Sequence, residues 1–406
     1  MTIIFDPFSG GGSGGYSGGG SGGGSGGGSG GGSGGGSGGG SDGILFDQIT
    51  LTEALSRSRE ALSIPSDALT YADWDKAQLP ISEDIDSTAI PKPGTLTSGA
   101  INRRALTAKL YRWDPWVKHN LVQQELAAGT SFKTDEPHSL IWLTDSKPRV
   151  TLTRPSKDRF RQEMQLVLDL AQYRPDRKPE ILVQRASFWP FFRSILPITP
   201  EAFPNTFFLM QAAVDFSISI HLRFKHTFAC LRPDQMSPQV QPLIHTPGHA
   251  AYPMGHMVEA VVAACVLKNI MQRNNTQAFQ KAHDQLWRLA GRIGENRVIA
   301  GVHFPVDWVG GAVLGVYIAD YFCRKCGLSE VVLMEGVFDP AATNMADSYT
   351  AIESIEKVLS LAASSKDIAL TSSSSILRVI TDSAQLELSG IDRKNTAQDN
   401  TRSKKG

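Results

Sequence analysis

Between Phe208 and Tyr321 the chain alternates long apolar runs with short blocks crowded with basic residues and histidine, and this alternation does most to limit its possible folds. The blocks are Lys225 with Arg232-Pro233, then Pro253-Met254-Gly255-His256, then Arg297 followed by His303 and Asp307. Lys225 and Arg232 are seven apart, which on a helix is two turns along one face, and Pro233 then ends the helix because it has no N–H to donate. Gly255 and His256 open an apolar run to Met271, and free N–H groups at a helix start cradle phosphate-like oxygens. If helix resumes at Pro305, a good first-turn residue, Asp307 turns back onto His303, fixing one ring nitrogen and leaving the other basic. Any one of these residues is better explained as a surface charge or a satisfied core histidine. The ordered set, three cations around two imidazoles, is better explained by a pocket for a tetrahedral oxyanion.

That order (Lys, six residues, Arg-Pro; Pro-x-Gly-His; Arg, five residues, His, three residues, Asp) resembles the signature shared by vanadium-dependent haloperoxidases and type 2 phosphatidic acid phosphatases, including the bacterial class A acid phosphatases. The resemblance spans roughly a quarter of the chain. It implies that Lys225, Arg232 and Arg297 neutralise the oxygens of a bound anion and that Gly255 donates its backbone N–H. It further implies that His303 ligates vanadate in a peroxidase or accepts the phosphoryl group in a phosphatase, with Asp307 orienting it and His256 as general acid–base. One departure is Met254, where the family usually has Ser. A thioether donates no hydrogen bond, and losing one donor to a charged oxygen costs about 1.5–3 kcal/mol of binding. A second is Asn296, where Ser often precedes the Arg; it keeps a polar side chain.

His249, with Tyr252-Pro253 before the Gly-His, resembles the bromoperoxidase form and would then stand where halide is handled. A plain loop histidine is the competing explanation. Against a peroxidase, Met254 is an oxidisable thioether beside a peroxide-activating centre. The first reading is a vanadate-dependent haloperoxidase acting on hydrogen peroxide and a halide, with His303 as the vanadate ligand. The second is a phosphomonoesterase working through a phosphohistidine without a cofactor, and the third an inactive anion-binding scaffold.

With 406 residues, 41% of them hydrophobic and 20% charged, the chain can bury a large core, and its zero net charge offers no field for nucleic acid. The apolar stretches Val258 to Met271 and Trp308 to Phe322 are interrupted by Glu259, Lys268 and Asp320, so they read as buried helices and not as membrane spans. Met1 to Asp6 has no basic start or long apolar segment, and Cys230, Cys265, Cys323 and Cys326 make no disulfide framework. Together these point to a cytoplasmic protein.

Composition divides the chain into an apolar peptide (1–9), either a docking tag for a protein partner or a frayed terminus, and a Gly/Ser linker (10–43) that would span roughly 30 Å as flexible coil. A wrapping segment (44–98), a catalytic domain (99–335) and a C-terminal extension (336–406), disordered after 390, follow. Periodicity predicts helices over Leu51–Leu62, Leu106–Leu126, Lys157–Tyr173, Pro204–Leu231, 255–273, 276–298, 305–325 and Ala351–Leu361, with Ile376–Leu388 leaning towards strand. Trp189, Phe191 and Phe192 suggest core packing, a loop cap or the apolar mouth of a channel. The expected fold is all-α, an antiparallel helical bundle of the vanadium haloperoxidase/acid phosphatase type, with the blocks converging at one end; an oligomer is compatible with it.

Overall fold

The longest apolar runs become the inner helices and the polar-rich ones cover them. The computed structural model describes residues 113–135, 138–271, 277–328, 335–342 and 376–388, with 357, 358, 360, 363 and 364. In chain order the elements are α1 (Pro115–Ala128), β1 (Thr130–Asp135), β2 (Ser139–Thr144), β3 (Lys147–Thr153), α2 (Lys157–Leu170), a 3-10 turn (Ala171–Tyr173), α3 (Arg174–Ala186) and α4 (Trp189–Ile195). Then come α5 (Pro204–Phe228), α6 (Pro233–Met236), α7 (Gly255–Met271), α8 (Gln277–Ile299), α9 (Pro305–Lys325), β4 (Gly336–Phe338) and β5 (Ala363–Ser364). A last helix, α10, covers 376–388.

Helix α7 is the centre, packed by α5, α8 and α9. Its sequence is apolar on every face, as a helix surrounded by others must be. Gly311 and Gly315, one turn apart on α9, set the closest approach. A Cβ at Gly315 would lie 2.9 Å from the Val261 Cβ, and one at Gly311 would lie 2.7 Å from the Met254 carbonyl oxygen. Among the described residues α9 alone is long and apolar enough to cross a bilayer, and 94% of that stretch is buried inside the protein.

The all-α expectation is corrected by a five-stranded sheet in the order β1-β2-β3-β4-β5. Strands β1, β2 and β3 are an antiparallel meander, β4 joins β3 in parallel, and β5 pairs antiparallel with β4. Asp145 and Ser146, both at positive φ, make the two-residue turn between β2 and β3. Leu140, Trp142 and Thr144 alternate inward along β2, and the Trp142 ring meets Phe216 of α5 and Tyr321 of α9 at centroid distances of 6.3 and 5.4 Å. The sequence from Ser139 to Thr144 carries a continuous apolar run, Leu140 to Leu143, without period-2 alternation, and six residues carry little weight beside long helical runs.

Other expectations shift similarly. Residues 376–388 are helix, not strand: Leu377, Ile380, Ala384 and Leu388 fall three and four apart and are buried. Trp189 and Phe192 lie on α4 and are buried with Phe188 and Phe207, the core-packing alternative over the loop cap. The expected boundary at residue 335 is crossed by pairing of β4 with β3. The peptide 1–9, linker 10–43, segment 44–98 with its Leu51–Leu62 helix, and the tail after 390 lie outside the described residues; so do the first part of the Leu106–Leu126 helix and most of Ala351–Leu361.

Helix α5, which carries Lys225, begins without a side-chain cap of its own. Glu387 of α10 supplies one: its two carboxylate oxygens accept from the Asn205 N–H (2.9 Å), the Asn205 Nδ2 (2.7 Å), the Thr206 N–H (2.9 Å) and the Thr206 hydroxyl (2.8 Å). A carboxylate there satisfies orphan donors and complements the helix dipole. Glu387→Ala should therefore cost about 1–2 kcal/mol in urea unfolding, with Glu387→Gln less damaging. Equal stability of all three proteins would show that α10 does not hold α5.

Candidate active site

Lys225 lies in the last turn of α5, which stops at Phe228 because Ala229 turns left-handed at φ 48°. Arg232 is therefore not on the same helix, as its spacing had suggested; it is the residue that precedes α6. The two cations still converge, because the loop 249–251 passes between them. Lys225 Nζ donates to the carbonyls of Ala250 (2.9 Å) and Ala251 (2.7 Å), while Arg232 donates to those of His249 (3.1 Å) and Ala250 (3.3 Å).

The third block meets this pair directly. Helix α9 begins at Pro305, so Asp307 stands in its first turn, where its Oδ2 accepts the Phe304 N–H (2.9 Å) and faces His303 Nδ1 (3.0 Å). Arg232 Nη1 lies 2.8 Å from His303 Nε2 and 2.8 Å from the Val302 carbonyl. A guanidinium can only donate, so Nε2 holds the lone pair and Nδ1 the proton, directed at Asp307. Burial, then Arg232 and Lys225, holds the His303 pKa well below its ordinary value, so the ring is neutral.

Arg297, in the last turn of α8, donates through Nη2 to the Ile181 carbonyl (3.0 Å) and to Gln184 Oε1 (3.3 Å), both on α3. Burial and then Arg185 lower its pKa to about 9, still cationic at neutrality. His256, in the first turn of α7, has Nε2 3.2 Å from the Gln184 carbonyl, so that nitrogen carries the proton. Burial, then Arg297, keeps His256 neutral, with Lys225 and Arg232 acting in the same direction. His256 thus lies in the field of Arg297 and of the Lys225–Arg232 pair. Lys225, Arg232, His256, Arg297, His303 and Asp307 are each no more than 4% exposed. That much buried positive charge is costly without an anion.

Met254 is fully buried, and its N–H donates to the Asp307 carbonyl (2.9 Å), tying the start of α7, where Gly255 is the first residue, to α9. His249 is half-buried with Nδ1 3.1 Å from Arg232 Nη2. The cavity lined by Trp189, Phe192 and Leu267 is about 17 Å along α7 from His256, so these aromatics are no mouth to the site. Two contributors carried no motif signal. Glu163 of α2 accepts the Val306 N–H (2.9 Å) beside Asp307, and Gln184 of α3 meets both His256 and Arg297. No metal-binding cluster of His, Cys, Asp and Glu occurs among the described residues; the cationic side chains Lys225, Arg232 and Arg297 suit an oxyanion.

Burial raises the Asp307 pKa from 3.8 to about 7, opposed by the Phe304 N–H, Lys225 and Arg232. Between about pH 4 and 7 the folded protein then keeps a proton that the unfolded chain has lost, so this group's contribution to stability falls as pH rises. Asp307→Asn lacks that titration and should gain on the wild type from pH 4 to 7, by up to about 1.4 kcal/mol per pH unit. Urea unfolding at a series of pH values measures it; parallel curves would mean that Asp307 is already ionised at pH 4.

Residues 206–325 match the PAP2 superfamily. The crystal structure of the first transmembrane PAP2 type phosphatidylglycerolphosphate phosphatase from Bacillus subtilis is similar at 15% identity, with 54% of this chain and 90% of that one covered and a TM-score of 0.26. No curated protein matches the chain. The match takes in Lys225, Arg232, Gly255, His256, Arg297, His303 and Asp307.

Proposed function

We propose that this protein is a phosphohydrolase that cleaves phosphomonoesters through a phosphohistidine at His303. The observation that carries the reading is the fixed tautomer of that ring: Asp307 holds Nδ1–H, and the Nε2 lone pair faces Arg232, a donor that a phosphoryl oxygen can engage in its place. The Nε2 lone pair attacks phosphorus, the ester P–O bond breaks, and Asp307 offsets the charge of the resulting imidazolium. Arg232, Arg297 and Lys225 hold the equatorial oxygens as charge develops.

His256 protonates the leaving alkoxide. It is neutral without an anion because burial and three cations oppose its charge; a bound dianion cancels much of that opposition, so substrate itself charges the acid. Water then adds to phosphorus, the N–P bond breaks, phosphate leaves, and the water proton returns to His256.

The haloperoxidase reading is second, and its specific support is His249 against Arg232. Vanadate would be held by the same donors, His303 Nε2 with Arg232, Arg297 and Lys225, and when bound would supply peroxide activation. The superfamily match favours the phosphatase, and the buried Met254 thioether is better suited to a site without peroxide. We place the reaction in the aqueous phase because α9 is enclosed by protein. Recovery of the protein in membranes after cell fractionation would overturn that placement.

The protein should hydrolyse p-nitrophenyl phosphate with inhibition by orthovanadate, and His303→Ala should lower kcat on the order of a thousandfold or more. Bromide-dependent halogenation of a phenol dye with vanadate and peroxide, in the absence of hydrolysis, would reverse the order of the two readings.

A further inference from the structure

The α3 side of the site contains donors with nothing to donate to. Arg297 Nε, Arg297 Nη1 and Gln184 Nε2 are all buried without a hydrogen-bond partner, and Gln184 itself is 1% exposed. Leaving such groups unpaired is expensive, which points to an acceptor that enters from outside.

The orientation of the Gln184 amide is dictated by its neighbours. Arg177 Nη1 donates to Asn296 Oδ1 (3.0 Å), so Asn296 must present Nδ2 on its other side, where it reaches Glu180 Oε2 (3.1 Å) and Gln184 Oε1 (3.0 Å). Arg297 Nη2 donates to the same Gln184 oxygen (3.3 Å). Flipping the Gln184 amide would set its NH2 against two donors. Oε1 is therefore committed to Asn296 and Arg297, and Nε2 is left free beside the guanidinium. The Gln184 backbone carbonyl meanwhile receives His256 Nε2–H (3.2 Å), so this residue stands between the anion-binding arginine and the acid.

We propose that Gln184 is a further substrate-binding residue whose side-chain NH2 donates to a non-bridging oxygen of the phosphoryl group, in the pocket where Met254 brings no hydroxyl. The assignment rests on the phosphoryl-transfer reading of the site. It also gives Asn296 a role: it fixes the amide orientation without touching substrate.

Orthovanadate binding by isothermal titration calorimetry, with thermal unfolding of each ligand-free protein, tests it on wild type, Gln184→Met and Gln184→Glu. Gln184→Met removes the donor without adding charge and should weaken vanadate binding about tenfold to a hundredfold. Gln184→Glu keeps an acceptor for Asn296 and Arg297, so its Tm should not fall, yet its binding should weaken at least as much. Its deficit against wild type should shrink as pH falls from 8 to 5, when the introduced carboxyl takes a proton and donates again. Wild-type affinity in Gln184→Glu at pH 8, or a deficit independent of pH, overturns the proposal and leaves the phosphoryl-transfer reading intact; absence of vanadate binding by the wild type overturns both. Should Gln184→Met unfold, the Gln184→Glu series decides alone.

Discussion

The contact between Arg232 and His303 organises everything else in the site. A cation that can only donate sits on the one ring nitrogen able to act as a nucleophile, while a carboxylate takes the proton of the other. The ring cannot rotate or change tautomer without breaking one of these bonds, and burial with nearby cations keeps it uncharged. In the phosphohydrolase proposed above, a phosphoryl oxygen arriving at Arg232 would take over its donor and uncover the lone pair in the same movement.

Such a cluster of buried cations would repel itself apart if it relied on its own residues. It is held by backbone carbonyls, from the loop 249–251 for Lys225 and Arg232 and from α3 for Arg297. Carbonyl dipoles stabilise the charges without cancelling them, so the positive potential remains for a ligand. Glu163 is the exception that fits the rule: Arg159 pairs with it at 2.7 Å, and its other oxygen serves Val306 N–H, fixing the turn beside Asp307 with little loss of local positive charge.

The domain borrows its support from outside residues 206–325. Helix α2 supplies Glu163, α3 supplies Gln184 and the Ile181 carbonyl, and α10 caps α5 through Glu387. The sheet closes the flank of α5 and α9 through Trp142. What precedes and follows residues 206–325 is thus part of how the geometry of the candidate site is fixed.

The sequence by itself determined the helices of the domain and their charged ends, because an apolar period of three and four over many residues admits little else, and because Pro204 and Pro305 each start a helix. It also carried the expectation of an anion pocket, through the order of Lys225, Arg232, His256, Arg297, His303 and Asp307. It did not reveal the sheet, since β2 is six residues long and β4 and β5 are shorter, nor that Arg232 leaves the helix of Lys225, since Ala229 in a left-handed turn has no compositional mark. Only the tertiary structure brought Arg232 onto a ring seventy-one residues away and Gln184 between His256 and Arg297. Those contacts run through backbone carbonyls and a side-chain amide, groups that any sequence can offer and that acquire meaning only when the fold places them.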